Sequence, residues 1–92
     1  MHVIGMSFNA PLSTEQVQRD VIDPLRVAME GTGVGIYSNY LRKGDGVSPE
    51  HVVVFEVLDF KTGLRTLRLA ASELDLPPDL QFHNLDPTEP PY

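Results

Sequence analysis

The spacing of apolar residues divides the chain into four short strands and two helices. Strand-like segments, which are short and rich in β-branched or aromatic residues, cover residues 3–8, 34–42, 51–60 and 80–85. Between the first two of these segments, apolar residues recur at helical spacing: Val17, Val21, Ile22, Leu25, Ala28 and Met29. The pattern therefore predicts the order β-α-β-β-α-β.

The first helix carries a start signal, an interruption and a stop signal. Ser13 and Gln16 have the spacing of a capping box, which predicts that the helix begins just after Ser13. Pro24 lacks an amide proton and crowds the preceding turn. Because the apolar stripe continues through the proline in phase, we expect one kinked helix. Gly31 is suited to the left-handed position that ends a helix.

The second helix has a regular apolar stripe, formed by Phe60, Leu64, Leu67, Ala71 and Leu74. Asp59 or Thr62 is expected to cap its first turn. The pair Pro77 and Pro78 is expected to prevent its continuation.

The chain of 92 residues is long enough for a single small domain. In a domain of this size, the predicted order is typical of the ferredoxin-like α+β sandwich, in which a four-stranded antiparallel sheet carries both helices on one face. The expected strand order is 4-1-3-2. We assign residues 1–86 to this domain and the proline-rich residues 87–92 to a C-terminal tail.

The third strand, within "HVVVFEVLDF", is apolar on both of its faces. Alternation places Val53, Phe55 and Val57 under the helices, and it places Val52, Val54, Glu56 and Leu58 on the open face of the sheet. On the second strand, we expect Ile36 and Tyr40 to point toward the helices. Its residues expected on the open face are Tyr37, Asn39 and Leu41.

An apolar open face of this kind calls for a cover, because soluble monomers rarely expose large contiguous apolar patches. A second copy of the chain, another protein or a small apolar ligand would each serve, and symmetric self-association is the commonest solution. The tail with Tyr92 could instead fold back over part of the patch. The predicted binding residues are Tyr37, Asn39, Val52, Val54, Glu56 and His83.

Charge and cysteine content exclude several kinds of function. The net charge of −6 disfavours nucleic acids and anionic membranes as partners. The absence of cysteine excludes disulfides, thiolate nucleophiles and cysteine-ligated zinc. The first residues have no basic region followed by a long apolar run, and no segment has the apolar length of a membrane span, so we expect a cytoplasmic protein.

The chain has three histidines, and their spacing does not predict a metal site. Taking the first and third strands as parallel, we expect His2 and His51 near one end of the sheet, with His83 approaching that end. Parity puts His2 and His51 on the helix side and His83 on the open side, however. The three imidazoles therefore do not converge on a common ion, and no cofactor is expected.

No recognised catalytic motif is present. The glycines of "GTGVG" at residues 31–35 precede a strand instead of opening a helix, so they do not form a phosphate loop. No serine lies in a G-x-S-x-G sequence. The element order resembles that of acylphosphatases and of RNA-recognition modules. The basic loop residue of the first and the exposed aromatic and basic residues of the second are missing.

The sequence thus predicts a non-enzymatic interaction or ligand-sensing domain that works through its open sheet face as a homodimer. No catalytic residue is assigned. The alternative is a small enzyme of the dimeric α+β sandwich type. In that case Glu56, in an apolar strand, or His83 would act as the acid or base.

Overall fold

All six predicted elements are present in the structure, a computed structural model that describes residues 1–44 and 46–86. The predicted tail, residues 87–92, lies outside the described residues. The strands are β1 (His2–Asn9), β2 (Gly35–Lys43), β3 (Glu50–Val57) and β4 (Gln81–Asn84). The first helix consists of α1 (Thr14–Val17), a π-helical turn (Gln18–Ile22) and α2 (Asp23–Gly31), and the second helix is α3 (Phe60–Ser72).

The strands form one antiparallel sheet in the order β2-β3-β1-β4, which is the expected order 4-1-3-2 read from the opposite edge. The predicted α+β class, with two helices against a four-stranded antiparallel sheet, is confirmed. The expectation that β1 and β3 run parallel was wrong. β3 returns from β2 in a hairpin, so it runs opposite to β1.

The first helix starts as its sequence predicts, and it continues through Pro24. The Ser13 hydroxyl accepts a hydrogen bond from the Gln16 amide at 3.1 Å, and the Gln16 side chain accepts one from the Ser13 amide at 2.8 Å. Ahead of Pro24, the Asp23 amide bonds to the Gln18 carbonyl five residues back. The proline is therefore accommodated by a widened π-helical turn within a continuous helix.

The end of this helix differs from the prediction. Gly31 is still helical, the C-cap is Thr32, and it is Gly33 that takes the positive φ of 71°. The segment "GTG" contains a second glycine, Gly33, so the sequence leaves the exact end of the helix ambiguous. The left-handed residue came two positions later than expected.

The second helix is capped by Asp59, whose carboxylate accepts a hydrogen bond from the Thr62 amide at 2.8 Å. This bond holds the pKa of Asp59 below its ordinary value. Gly63 allows α3 to lie close to β3, because a Cβ atom at this position would come within 2.6 Å of the Val57 side chain.

The core lies between the helices and one face of the sheet. Its sheet side includes Ile4, Met6, Phe8, Val53, Phe55 and Val57, and its helix side includes Val17, Val21, Ile22, Leu25, Met29, Leu67 and Ala71. The predicted parity of the third strand is thereby confirmed. The other sheet face, called the open face below, carries no helix from residues 1–44 or 46–86.

Candidate functional site

A β-bulge in β2 decides which of its side chains reach the open face. Tyr37 pairs with Phe55 and Asn39 with Val54, so Ser38 is the extra residue between them. After the bulge, Asn39 lies on the open face as predicted. Before it, the alternation is reversed.

The predicted placement of Tyr37 and Ile36 was therefore wrong. Tyr37 lies on the helix side, with its ring edge-on to Phe55 at a centroid distance of 6.0 Å and with Arg26 over its other surface. Ile36 pairs with Glu56 and is exposed on the open face. A binding role for Tyr37 on the open face is incompatible with this position, and Ile36 takes its place on that surface.

The centre of the open face is apolar and largely covered. Val52 and Val54 retain only 8% of their exposure. Leu85, which follows β4, lies over Gly5, because a Cβ atom added to Gly5 would come within 2.7 Å of the Leu85 side chain. The Leu85 amide bonds to the Val3 carbonyl at 2.9 Å and fixes the chain there. Part of the cover thus comes from the residues just after β4.

A depression of about 350 Å³ opens beside this covered centre, lined by Ser7, Leu41, Lys43, Glu50, Val52, His83 and Leu85. Its apolar side chains come from three different chain segments. Lys43 and Glu50 are paired in the β2–β3 register and bring opposite charges to one end. The depression therefore combines apolar contact area with a cation, an anion and an imidazole.

A hydrogen bond of 2.7 Å joins the Ser7 hydroxyl to Nε2 of His83. Ser7 is buried and His83 is half-buried on β4, where it pairs with Gly5. The prediction that His83 faces the open side is confirmed. Ser7, Lys43 and Glu50 were not among the predicted site residues, although Ser7 alternates along β1 with the core residues Met6 and Phe8, a pattern that indicates the open face.

A serine bonded to a histidine suggests a nucleophile and its base, but the surroundings do not complete such a site. Acyl transfer needs amide donors aimed at a developing oxyanion. At Ser7, β1 is paired on both sides, with Val52 and Gln81, so the backbone next to the hydroxyl is engaged in the sheet. Within the described residues His83 makes no second hydrogen bond that would orient its ring.

Glu56, the other predicted acid or base, is separate from the depression. It is half-buried on the open face and pairs with Val3 and Ile36 in the register. Glu56 lies four positions after Val52 on β3, a distance of about 13 Å along a strand. The structure therefore does not bring Glu56 and His83 together.

His51 lies on the opposite face, in the core, and is fully buried. Its Nδ1 is 2.6 Å from the Tyr40 hydroxyl, and its Nε2 is 2.9 Å from the Ala10 carbonyl. The carbonyl only accepts, so Nε2 donates to it, and in this tautomer of the neutral ring Nδ1 is the acceptor for the Tyr40 hydroxyl. Both nitrogens are satisfied, which makes this a structural histidine.

His2 lies at the other end of the sheet from His51, because β1 and β3 are antiparallel. Its Nδ1 is 2.8 Å from a carboxylate oxygen of Asp86. The expectation that His2 and His51 share one end was wrong for this reason. In residues 1–44 and 46–86, no three potential ligand side chains converge as a metal site would require.

Comparisons with known proteins give no family assignment. No helix among the described residues has both the length and the apolar character needed to cross a membrane. No family model matches the chain, and neither a curated protein nor a solved structure matches it.

Proposed function

We propose that this chain is a ferredoxin-like domain that acts without catalysis, as a binding or sensing module that uses its open sheet face. The observation that carries the proposal is the depression beside Val52, where apolar side chains meet Lys43, Glu50 and His83. Binding sites usually consist of apolar contact area with a small number of well-placed polar groups. The cytoplasmic location expected from the sequence is part of this proposal.

The occupant of the open face is proposed to be a second copy of the chain. Exposed apolar side chains surround the covered centre: Ile36, Leu41 and Leu85 retain 49%, 44% and 44% of their exposure. A two-fold contact presents the same patch from both copies. Lys43 and Glu50, adjacent on each copy, suit such a contact because each can meet the opposite charge of the partner.

The test is sedimentation velocity over a range of protein concentrations, with native mass spectrometry of the same samples. We expect dimers in the unmodified chain and monomers in Val54→Asp. Because Val54 is nearly buried and a charge there also perturbs the packing of the sheet, Leu41→Asp at the exposed rim serves as the second variant. Val27→Asp is the matched control, since Val27 is 75% exposed on the helical layer.

A monomer at every concentration would contradict the dimer. Equal dissociation in Leu41→Asp and Val27→Asp would contradict the use of the open face. A small molecule retained in the native mass spectrum of a monomer would replace the second copy by a ligand as the occupant.

A second candidate function, a small enzyme of the dimeric α+β sandwich type, is favoured only by the Ser7–His83 hydrogen bond. That bond selects His83 over Glu56 as the acid or base. A fluorophosphonate reagent, which reacts with activated serine hydroxyls, tests it. Labelling of Ser7 that is lost in His83→Ala would support the enzyme, and an unlabelled protein would contradict it.

A further inference from the structure

The outer surface of α3 carries a row of cations, called the α3 stripe below. Lys61, Arg65 and Arg68 follow each other at helical spacing and line a groove of about 520 Å³ together with Leu64, Leu69 and Ser72. They are three of the seven Lys and Arg residues of a chain whose net charge is −6. Nearly half of the cations of this acidic protein thus lie on one face of one helix.

On the first helix, by contrast, both arginines form ion pairs with neighbouring carboxylates. Arg19 is 2.9 Å from Asp20, and Arg26 is 3.3 Å from Glu30. No acidic residue occurs between Phe60 and Ser72. In the part of the chain that the structure describes, no ion pair involves a residue of the α3 stripe.

Folding accounts for only part of this arrangement: the Asp59 carboxylate lies near enough to Lys61 to interact with its charge. Lys61 lies in the first turn of α3, where the helix dipole disfavours a cation. Arg68 does pack its guanidinium over the Phe82 ring, at 5.4 Å from the centroid. Leu69, beside the stripe, remains 64% exposed. Unpaired charge and exposed apolar surface therefore occur together on one helix face.

We propose that the α3 stripe docks an acidic segment of a partner protein, with carboxylates on the three cations and an apolar side chain against Leu64 and Leu69. The cations extend over about 10 Å along the helix, a distance that two turns of an acidic helix can match. Arginine forks bind carboxylates through two parallel hydrogen bonds. Since the helices cover the sheet face opposite to the open face, this surface is separate from the proposed dimer contact.

A nucleic acid fits the same surface less well. Its binding depends on neutralising many phosphates, and the acidic remainder of the chain repels a long polyanion. The exposed Leu69 also gives a phosphodiester backbone no favourable contact, whereas it suits an apolar peptide side chain.

The experiment uses fluorescence anisotropy with the full chain and a labelled helical peptide that presents Glu at positions i, i+4 and i+7 beside Leu. A peptide with Gln in place of Glu is the control probe. We expect the acidic peptide to bind, and we expect Arg65→Glu to weaken it about tenfold or more. Arg19→Glu, the same charge change on the first helix, should leave the affinity unchanged. Added salt should weaken binding of the acidic peptide.

Three results would overturn the proposal: no binding of the acidic peptide, equal binding of the Glu and Gln peptides, or equal affinity of Arg65→Glu and the unmodified chain. Tighter binding of a single-stranded oligonucleotide through Arg65 would also overturn it and assign the stripe to nucleic acid. The oligomeric state of Arg65→Glu, measured alongside, should match that of the unmodified chain.

Discussion

Two hydroxyl–imidazole pairs lie on opposite faces of the same sheet. On the helix side, Tyr40 bonds to His51 at 2.6 Å, and on the open face Ser7 bonds to His83 at 2.7 Å. The two bonds are alike in length and in chemical type. Their surroundings differ, because His51 is fully buried and His83 lies half-buried beside a depression.

The difference shows that burial, and not the hydrogen bond itself, determines what each imidazole is free to do. His51 uses its second nitrogen on the Ala10 carbonyl, and its ring contacts those of Phe8 and Tyr40. Neither ring nitrogen of His51 is free to bind a ligand. His83 makes one hydrogen bond within the described residues and keeps a side of its ring toward the depression.

The largest difference between the two faces is expected when each histidine is replaced by alanine. His51→Ala should lower the free energy of unfolding by about 3 to 5 kcal/mol, because it leaves a cavity and removes the partners of the Tyr40 hydroxyl and the Ala10 carbonyl. His83→Ala should cost less than about 1 kcal/mol, since water can enter the depression. Urea unfolding of both variants near neutral pH measures the difference. Equal losses would contradict the assignment of His51 as structural and His83 as available.

A smaller effect is expected when only the hydroxyls are removed. Tyr40→Phe leaves Nδ1 of His51 buried without a donor, which should cost about 1 to 3 kcal/mol. Ser7→Ala leaves Nε2 of His83 next to the depression, where water can replace the serine, and should cost about 0.5 kcal/mol. The same unfolding measurement applies. A larger loss for Ser7→Ala than for Tyr40→Phe would reverse the comparison.

Sequence periodicity was sufficient to predict the helices and strands and to predict which residues of β3 face the core. Val53, Phe55 and Val57 lie on the predicted side because β3 is a regular inner strand. β2 is different, since its bulge at Ser38 adds one residue and reverses the faces of Ile36 and Tyr37. No residue type in that segment predicts a bulge. In addition, β2 is an edge strand of mixed composition, so its sequence does not distinguish a buried face from an exposed one.

The candidate site was only partly predictable for a second reason. Its polar groups come together through contacts distant in sequence, such as Ser7 with His83, and these depend on the order and direction of the strands. A parallel arrangement of β1 and β3 would put His51 near His2, whereas their antiparallel pairing puts the two histidines at opposite ends. The core role of His51 depends on Tyr40 and Ala10, neither of which is a sequence neighbour.

The third histidine extends the comparison to an exposed position, where the smallest effect is expected. His2 pairs with Asp86, whose carboxylate also accepts a hydrogen bond from the Val3 amide. These two bonds hold the pKa of Asp86 below its ordinary value, and the bond from His2 has the larger effect. A carboxyl group with a lowered pKa in the folded state stabilises the fold above its unfolded pKa of about 3.9, and this contribution is lost as the pH falls through the folded value.

Asp86→Asn should therefore be less stable than the unmodified chain near neutral pH, and the two should converge as the pH falls below about 3.9. Urea unfolding at a series of pH values gives this difference directly. His2→Ala keeps Asp86 and its bond to the Val3 amide, so it should show a reduced dependence on pH. A constant difference between Asp86→Asn and the unmodified chain across the acidic range would contradict the role of this pair. The expected change in stability is small because the His2–Asp86 pair is solvent-accessible, so water competes for both partners. Water also reaches His83, but it does not reach the buried His51.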